Sequence, residues 1–234
     1  MRVLSEDLPQ TRLPVRDDVA YILPMVAFLA LTQIGVTWPG LYVASYVAKT
    51  IVVAVMLVML RGAYTRISWK FWWLGAIVGV IGVVQWVGMQ LWLQEHVKFF
   101  APDPSVAPFD PSHAFSSPAA SSAFIVVRWI LGASMVVPLM EELFWRDYLW
   151  RQIIAPSNFK LATIGEWSAA AFFLVAGMFA FVHGNWWLTS IVWAMLIGGL
   201  LVYTRSIGAC IVAHAVTNFL LGAYVLWARD WGFW

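Results

Sequence analysis

Seven stretches of predominantly apolar residues constrain the fold of this chain more than any other feature. A helix needs about 20 such residues to cross about 30 Å of membrane hydrocarbon. The stretches lie at residues 19–38, 41–60, 71–93, 122–154, 167–185, 187–204 and 206–228. Only 11% of the residues are charged and the mean hydropathy is +0.79, whereas a soluble domain carries about 25% charged residues. The sequence therefore predicts an all-α, polytopic membrane protein with seven or eight transmembrane helices.

Eight of the 14 basic residues lie in the N-terminal tail or in alternate connections between these stretches. They are Arg2, Arg12, Arg16, Arg61, Arg66, Lys70, Lys160 and Arg205. The positive-inside rule then predicts a cytoplasmic N-terminus. We divide the chain into a cytoplasmic tail (1–18), three N-terminal transmembrane helices (19–93), an outer Pro- and Ser-rich loop (94–121) and a four-helix catalytic unit (122–234).

Composition also excludes several classes of partner. The net charge is only +2 and no basic run forms a patch, so nucleic acid is not expected as a ligand. Cys210 is the single cysteine, which excludes an internal disulfide. The transmembrane helices are expected to contact membrane lipid. Nothing in the sequence specifies an oligomeric state.

Glu141, Glu142 and Arg146 interrupt the fourth apolar stretch. A charge at the centre of a bilayer costs about 2.5–3.5 kcal/mol on insertion scales, so ionisable groups there mark functional sites. Residues four apart share a helix face, which predicts a Glu142–Arg146 ion pair and leaves Glu141 about 100° away and free to react.

Two further polar pairs with the same spacing lie in later stretches: Phe179/His183 and His214/Asn218. At a rise of 1.5 Å per residue, Glu141 and His183 lie roughly 20 Å and 22 Å from the cytoplasmic ends of their helices. His214 and Asn218 lie roughly 12 Å and 18 Å in. A shared site is therefore predicted, provided that the fourth helix continues to Ile154.

These side chains match the needs of peptide hydrolysis, which are a base for water, a proton carrier and donors to an oxyanion. The imidazole of His214 and the amide of Asn218 are two donors on one helix face. Three alternatives remain open. Glu141, His183 and His214 could hold one divalent metal ion such as zinc, the cluster could be a purely structural ion-pair network, or the carboxylates could relay protons in a transporter.

The three motifs, in this order, resemble those of the CPBP family, the CAAX proteases and bacteriocin-processing proteins that are also called the Abi family. The resemblance covers about residues 122–222. It rests on Pro138-x-x-Glu141-Glu142-Leu143-Phe144-Trp145-Arg146, Phe179-x-x-x-His183 and His214-x-x-x-Asn218. Residues 222–225 and the Trp-rich end resemble the bacterial branch that accompanies exosortases.

The resemblance implies an intramembrane endopeptidase whose pocket opens toward the cytoplasmic leaflet. It implies that Glu141 activates water with help from His183, and that His214 and Asn218 stabilise the oxyanion. Glu142, Arg146 and Phe179 would orient these groups, and no cofactor would be needed. The implied location is a bacterial inner membrane, and the implied substrate is a peptide or a membrane-anchored protein, cleaved near its C-terminus. The family also includes bacteriocin-immunity relatives, so a non-catalytic binding role is a further alternative.

Asp147 departs from the family pattern, in which glycine usually follows the arginine. It adds a third carboxylate next to Arg146, so the sequence allows Asp147 to compete with Glu142 for that guanidinium.

Overall fold

A computed structural model describes residues 17–105 and 107–234. Within these residues the chain forms helices and no strand, which confirms the predicted all-α class. Seven main helices follow one another: α1 (Asp17–Thr37), α2 (Tyr42–Met59), α3 (Trp72–His96), α4 (Pro118–Ile154), α5 (Ala169–Phe181), α6 (Trp187–Thr204) and α7 (Ile207–Ala228). Short helical turns lie at Pro39–Leu41, Lys98–Phe100, Pro111–Ala114, Phe159–Leu161, Gly184–Trp186 and Trp231–Phe233. Apart from Asp17 and Asp18, the predicted tail with Arg2, Arg12 and Arg16 lies outside the described residues.

Six of these helices are long and apolar enough to cross a membrane, which confirms a polytopic membrane protein. The prediction that residues 167–185 form a helix long enough to span the membrane was wrong in length, because α5 has only 13 residues and ends at Phe181. Thirteen residues rise about 20 Å, less than the hydrocarbon thickness. The helix ends there because Gly184 adopts a positive φ of 55°, the left-handed conformation typical of a residue just past a helix.

The long helix α4 continues past Glu141 to Ile154, as a shared site requires. Its backbone widens into π-helical turns at Val126–Val136 and Leu143–Leu149, on either side of an α-helical segment at Val137–Glu142. Pro138 lies in that segment and has no N–H to donate, so the regular hydrogen-bond pattern is interrupted next to it. Wide turns of this kind occur often at functional sites.

Helices α3 and α7 pack closely through small residues. Gly75 and Gly79 lie against the backbone of Ala209 and Ala213. A Cβ atom at either glycine would overlap a carbonyl oxygen of α7. This close approach fixes the depth and rotation of α7, which carries His214 and Asn218.

One end of the helix bundle carries the basic residues of the connections and is here called the basic end. These residues are Arg61, Arg66, Lys70, Lys160 and Arg205. At the basic end, Lys160 binds Asp17 (2.5 Å) and the Ser206 hydroxyl donates to the Ser68 carbonyl (2.7 Å). These contacts join the start of α1, the α2–α3 connection, the α4–α5 connection and the start of α7. Residues 97–105, 107–117 and 229–234 lie at the opposite end, here called the loop end.

Candidate active site

One cavity of about 100 Å³ brings together the polar side chains predicted from three separate stretches. Its lining residues are Trp86, Val137, Glu141, Phe179, His183, Trp193, His214, Thr217, Asn218 and Leu221. Helix α4 supplies the carboxylate, the turn after α5 supplies one imidazole, and α7 supplies the other imidazole and the amide. The four residues proposed as catalytic therefore surround one space.

Glu142 lies behind the cavity and joins two helices. Its Oε1 atom accepts a hydrogen bond from Nη1 of Arg146 (3.1 Å) and another from Nδ1 of His214 (2.8 Å). The carboxylate is fully buried, and Arg146 is only 1% exposed. The ion pair expected from spacing is present, and it also holds His214, a contact that the spacing does not predict.

Glu141 lies beside Glu142, but one of its carboxylate oxygens has no hydrogen bond in the described part of the chain. Its Oε2 atom is buried and makes no hydrogen bond with any described residue. The charged groups that interact with it electrostatically include His214, Glu142, Arg146 and Lys49. Because a buried polar atom is costly when unpaired, Oε2 is a natural site for a bound water molecule.

His183 is oriented by Phe179 in two ways. Its Nδ1 atom lies 2.7 Å from the Phe179 carbonyl oxygen, and its ring stacks on the Phe179 ring at 4.2 Å. A carbonyl oxygen only accepts, so Nδ1 carries a hydrogen. In the neutral ring Nε2 is then the proton acceptor.

Asn218 is held by a contact with α4 that its spacing from His214 does not predict. Its Nδ2 atom donates to the Ala133 carbonyl of α4 (2.8 Å). Since Nδ1 of His214 binds Glu142, the groups left to face the cavity are Nε2 of His214 and the second amide hydrogen of Asn218. Both side chains line the cavity, but each already uses one of its donors in a hydrogen bond to α4.

Sequence reasoning missed the aromatic frame around these groups. Trp193 stacks on Phe179 (5.2 Å) and meets the His214 ring edge to face (4.7 Å), while Trp86 contacts His183 (5.8 Å). The Arg146 guanidinium lies over Phe179 and Trp193. Because the chain has 16 tryptophans, no local signal distinguished these two from membrane-interface residues.

Asp147 does not compete for Arg146. Its Oδ1 atom binds Arg151 (2.5 Å) and accepts from Thr65 (3.2 Å), and its Oδ2 atom accepts from Tyr21 (2.9 Å). We call these four residues the Asp147 network. The spacing of four between Asp147 and Arg151 is a sequence signal for this pair.

The described residues contain no group of three His, Cys, Asp or Glu side chains placed to hold a metal ion. The metal alternative from the sequence therefore gains no support from the arrangement of Glu141, His183 and His214.

The part of the chain that carries the site is similar to a known protein family. Residues 123–220 match the family described as type II CAAX prenyl endopeptidase Rce1-like. These residues form an Rce1-like segment of the CPBP family. The comparisons with curated proteins and with solved structures gave no match.

The Rce1-like segment contains every residue predicted for the site, and its family is one of proteases. Helices α1–α3 lie outside it, together with Lys49 and Trp86, which contribute to the surroundings of the site. The exosortase-associated branch suggested by residues 222–225 stays a prediction, as does each residue's catalytic role.

Proposed function

We propose that this protein hydrolyses a peptide bond of a membrane-associated protein or peptide within the bilayer. The observation that carries the proposal is the single cavity shared by Glu141, His183, His214 and Asn218. Its volume of about 100 Å³ exceeds the roughly 30 Å³ that one water molecule occupies in the liquid. A nucleophilic water and a substrate carbonyl therefore fit side by side.

Glu141 is proposed to take a proton from this water. Its Oε2 atom has no other partner among the described residues, and the neighbouring Glu142 is already engaged by Arg146 and His214. His183 presents Nε2 to the same cavity and can accept the proton or deliver it to the leaving amine. Such positioned acid–base groups contribute about 10²–10⁴-fold to rate.

His214 and Asn218 are proposed to stabilise the oxyanion. With Nδ1 of His214 bound to the Glu142 carboxylate, Nε2 faces the cavity, and an Nε2–H would donate to the developing negative oxygen. The second amide hydrogen of Asn218 supplies another donor. Both side chains are fixed by bonds to α4, so little reorganisation accompanies the reaction.

Comparison of membrane-protein fragments tests the proposal directly. Cells that express the wild-type protein, the Glu141→Gln variant or the Glu95→Gln variant would be analysed by mass spectrometry for new peptide ends. Glu95 is a matched control because its side chain is 79% exposed and lies outside the cavity. We expect fragments with wild type and Glu95→Gln, and none with Glu141→Gln.

Equal fragments from the Glu141→Gln protein would refute the assigned base. A cellular phenotype that survives Glu141→Gln without any fragment would instead favour a non-catalytic binding role. Activity that disappears on exhaustive chelation and returns with zinc would establish the metal-dependent mechanism, whereas we expect chelation to leave activity unchanged.

The protein is a membrane protein, and we further propose the bacterial inner membrane with a cytoplasmic N-terminus. The basic end would then face the cytoplasm. The site, however, continues toward the loop end, since Leu221 and Asn218 lie in the C-terminal half of α7. This direction conflicts with the cytoplasmic opening that the family resemblance implies.

Cysteine labelling resolves this conflict, because the native Cys210 is fully buried and gives little background. Lys160→Cys marks the basic end and Arg229→Cys marks the loop end. An impermeant maleimide added to intact cells should label Arg229→Cys alone. The reverse pattern would show that the cavity faces the cytoplasm and that the orientation predicted from charge is wrong.

A further inference from the structure

A second cavity, of about 320 Å³, adjoins the proposed catalytic cavity on its loop-end side. The two share Val137, His183, Asn218 and Leu221 as lining residues. The second cavity lies between α2, residues 128–137 of α4 and residues 218–225 of α7. A substrate bound at Glu141 can therefore extend into it.

Lys49 of α2 lines this second cavity and is only 7% exposed. Its Nζ atom donates to the Thr32 hydroxyl (3.0 Å) and lies over the rings of Tyr46 (4.1 Å) and Phe28 (4.5 Å). The ammonium group is retained inside the bundle by a hydroxyl and aromatic faces.

Arg128 of α4 provides a second cation in the same cavity. Its Nε atom donates to the Tyr42 hydroxyl (2.9 Å), and its guanidinium lies over the rings of Tyr46 (5.0 Å) and Trp234 (4.3 Å). The two terminal nitrogens make no hydrogen bond with the described residues. They form the fork that binds a carboxylate through two parallel hydrogen bonds.

Neither cation forms an ion pair within 4.0 Å with a carboxylate of the described residues. They also repel each other, since Lys49 and Arg128 interact electrostatically. Two like charges inside an apolar bundle are costly unless an anion binds between them. Glu141 interacts with Lys49 at longer range, but it belongs to the neighbouring cavity.

We propose that Lys49 and Arg128 bind the free carboxylate at the C-terminus of the peptide substrate. This inference rests on the proposed peptidase function. The second cavity would hold the residues that follow the cleaved bond, with aromatic walls for their side chains and the two cations at the far end. The chain would then select substrates cut close to a free C-terminus.

The helix geometry limits the length of the released peptide. Arg128 precedes Glu141 by 13 residues on α4, which corresponds to about 20 Å along the axis. An extended peptide spans about 3.3–3.6 Å per residue. The fragment removed should therefore contain no more than about six residues.

A binding experiment tests the carboxylate site without requiring cleavage. The full-length Glu141→Gln protein would be placed in phosphatidylcholine vesicles with N-terminally palmitoylated decapeptides that carry a benzophenone and six randomised C-terminal residues. Each library would be made as the free acid and as the C-terminal amide. We expect the free acid to give half-maximal photo-crosslinking at a concentration about tenfold lower, as for a charge-assisted hydrogen bond.

Variants assign that preference to residues. Arg128→Gln and Lys49→Met should each bring the acid library to the level of the amide, whereas Arg128→Lys keeps the charge but loses the fork and should keep only part of the preference. Arg229→Gln is the matched control, because Arg229 is exposed at the same end and does not line the cavity. Equal crosslinking of acid and amide in the protein with both cations intact would overturn the inference.

Three further outcomes have separate meanings. If phosphatidylglycerol in the vesicles removes the preference for the acid, the two cations bind a lipid phosphate and the inference is wrong. Cleavage of the amide library by wild type at the same rate as the acid would also overturn it, while leaving the peptidase function intact. A preference for the acid without any cleavage by wild type would refute the function and retain the carboxylate site.

Discussion

Helix α4 carries two buried charged clusters within a few turns, and they differ in how completely their polar atoms are paired. In the Asp147 network, both carboxylate oxygens accept hydrogen bonds, from Arg151, Thr65 and Tyr21. At the candidate active site, the Oε2 atoms of Glu141 and Glu142 and the Nε and Nη2 atoms of Arg146 are buried without a hydrogen-bond partner among the described residues.

This difference distinguishes a structural cluster from the one proposed to be reactive. A fully paired network in a low-dielectric interior fixes the elements that it joins, here α1, α4 and the α2–α3 connection. Unpaired buried atoms are rare in proteins because they are costly, and they need a reason such as bound water or catalysis. In the proposed function, the same helix uses one cluster for packing and the other for chemistry.

The largest expected effect is on stability, from Asp147→Asn. Arg151 is 5% exposed, and without the carboxylate its guanidinium would remain buried with no counter-charge. Breaking a buried pair on one side costs about 3–5 kcal/mol. Unfolding of the purified protein in detergent, followed by tryptophan fluorescence, measures this loss.

The double variant Asp147→Asn/Arg151→Met provides the control, because it removes both charges and should recover much of the stability. Glu141→Gln should unfold like wild type. If Glu141→Gln proved as unstable as Asp147→Asn, the contrast between the two clusters would be wrong.

The next effect concerns activity, from His214→Ala. Loss of one oxyanion donor costs about 2.7–4 kcal/mol, or about 10²–10³-fold in kcat. Stability should change less, since Arg146 still binds the Glu142 carboxylate. The rate of peptide cleavage per folded molecule measures the effect, and a rate within a few-fold of wild type would exclude His214 from the oxyanion site.

The smallest effect is expected from Tyr21→Phe, which removes one hydroxyl from the Asp147 network. A single intramolecular hydrogen bond contributes about 0.5–1.5 kcal/mol, and Asp147 keeps its bonds to Arg151 and Thr65. We expect a slightly lower free energy of unfolding and an unchanged rate of cleavage. A strong loss of activity would connect the Asp147 network to the reaction after all.

Much of the fold and of the site was available from local patterns. Runs of apolar residues predicted the membrane helices, and the spacing of four predicted the Glu142–Arg146 pair. The end of α5 was misplaced even though Gly184 carried a signal for it. The aromatic frame of Trp86 and Trp193 carried none, because tryptophans are common throughout the chain.

The amino-acid sequence by itself determined which residues share a face of one helix, because the helical repeat is a local property of the backbone. Only the tertiary structure decided that His214 binds Glu142, that Asn218 binds Ala133, and that α2 brings Lys49 next to the site. Those contacts depend on the depth and rotation of one helix against another, which packing of the whole bundle sets.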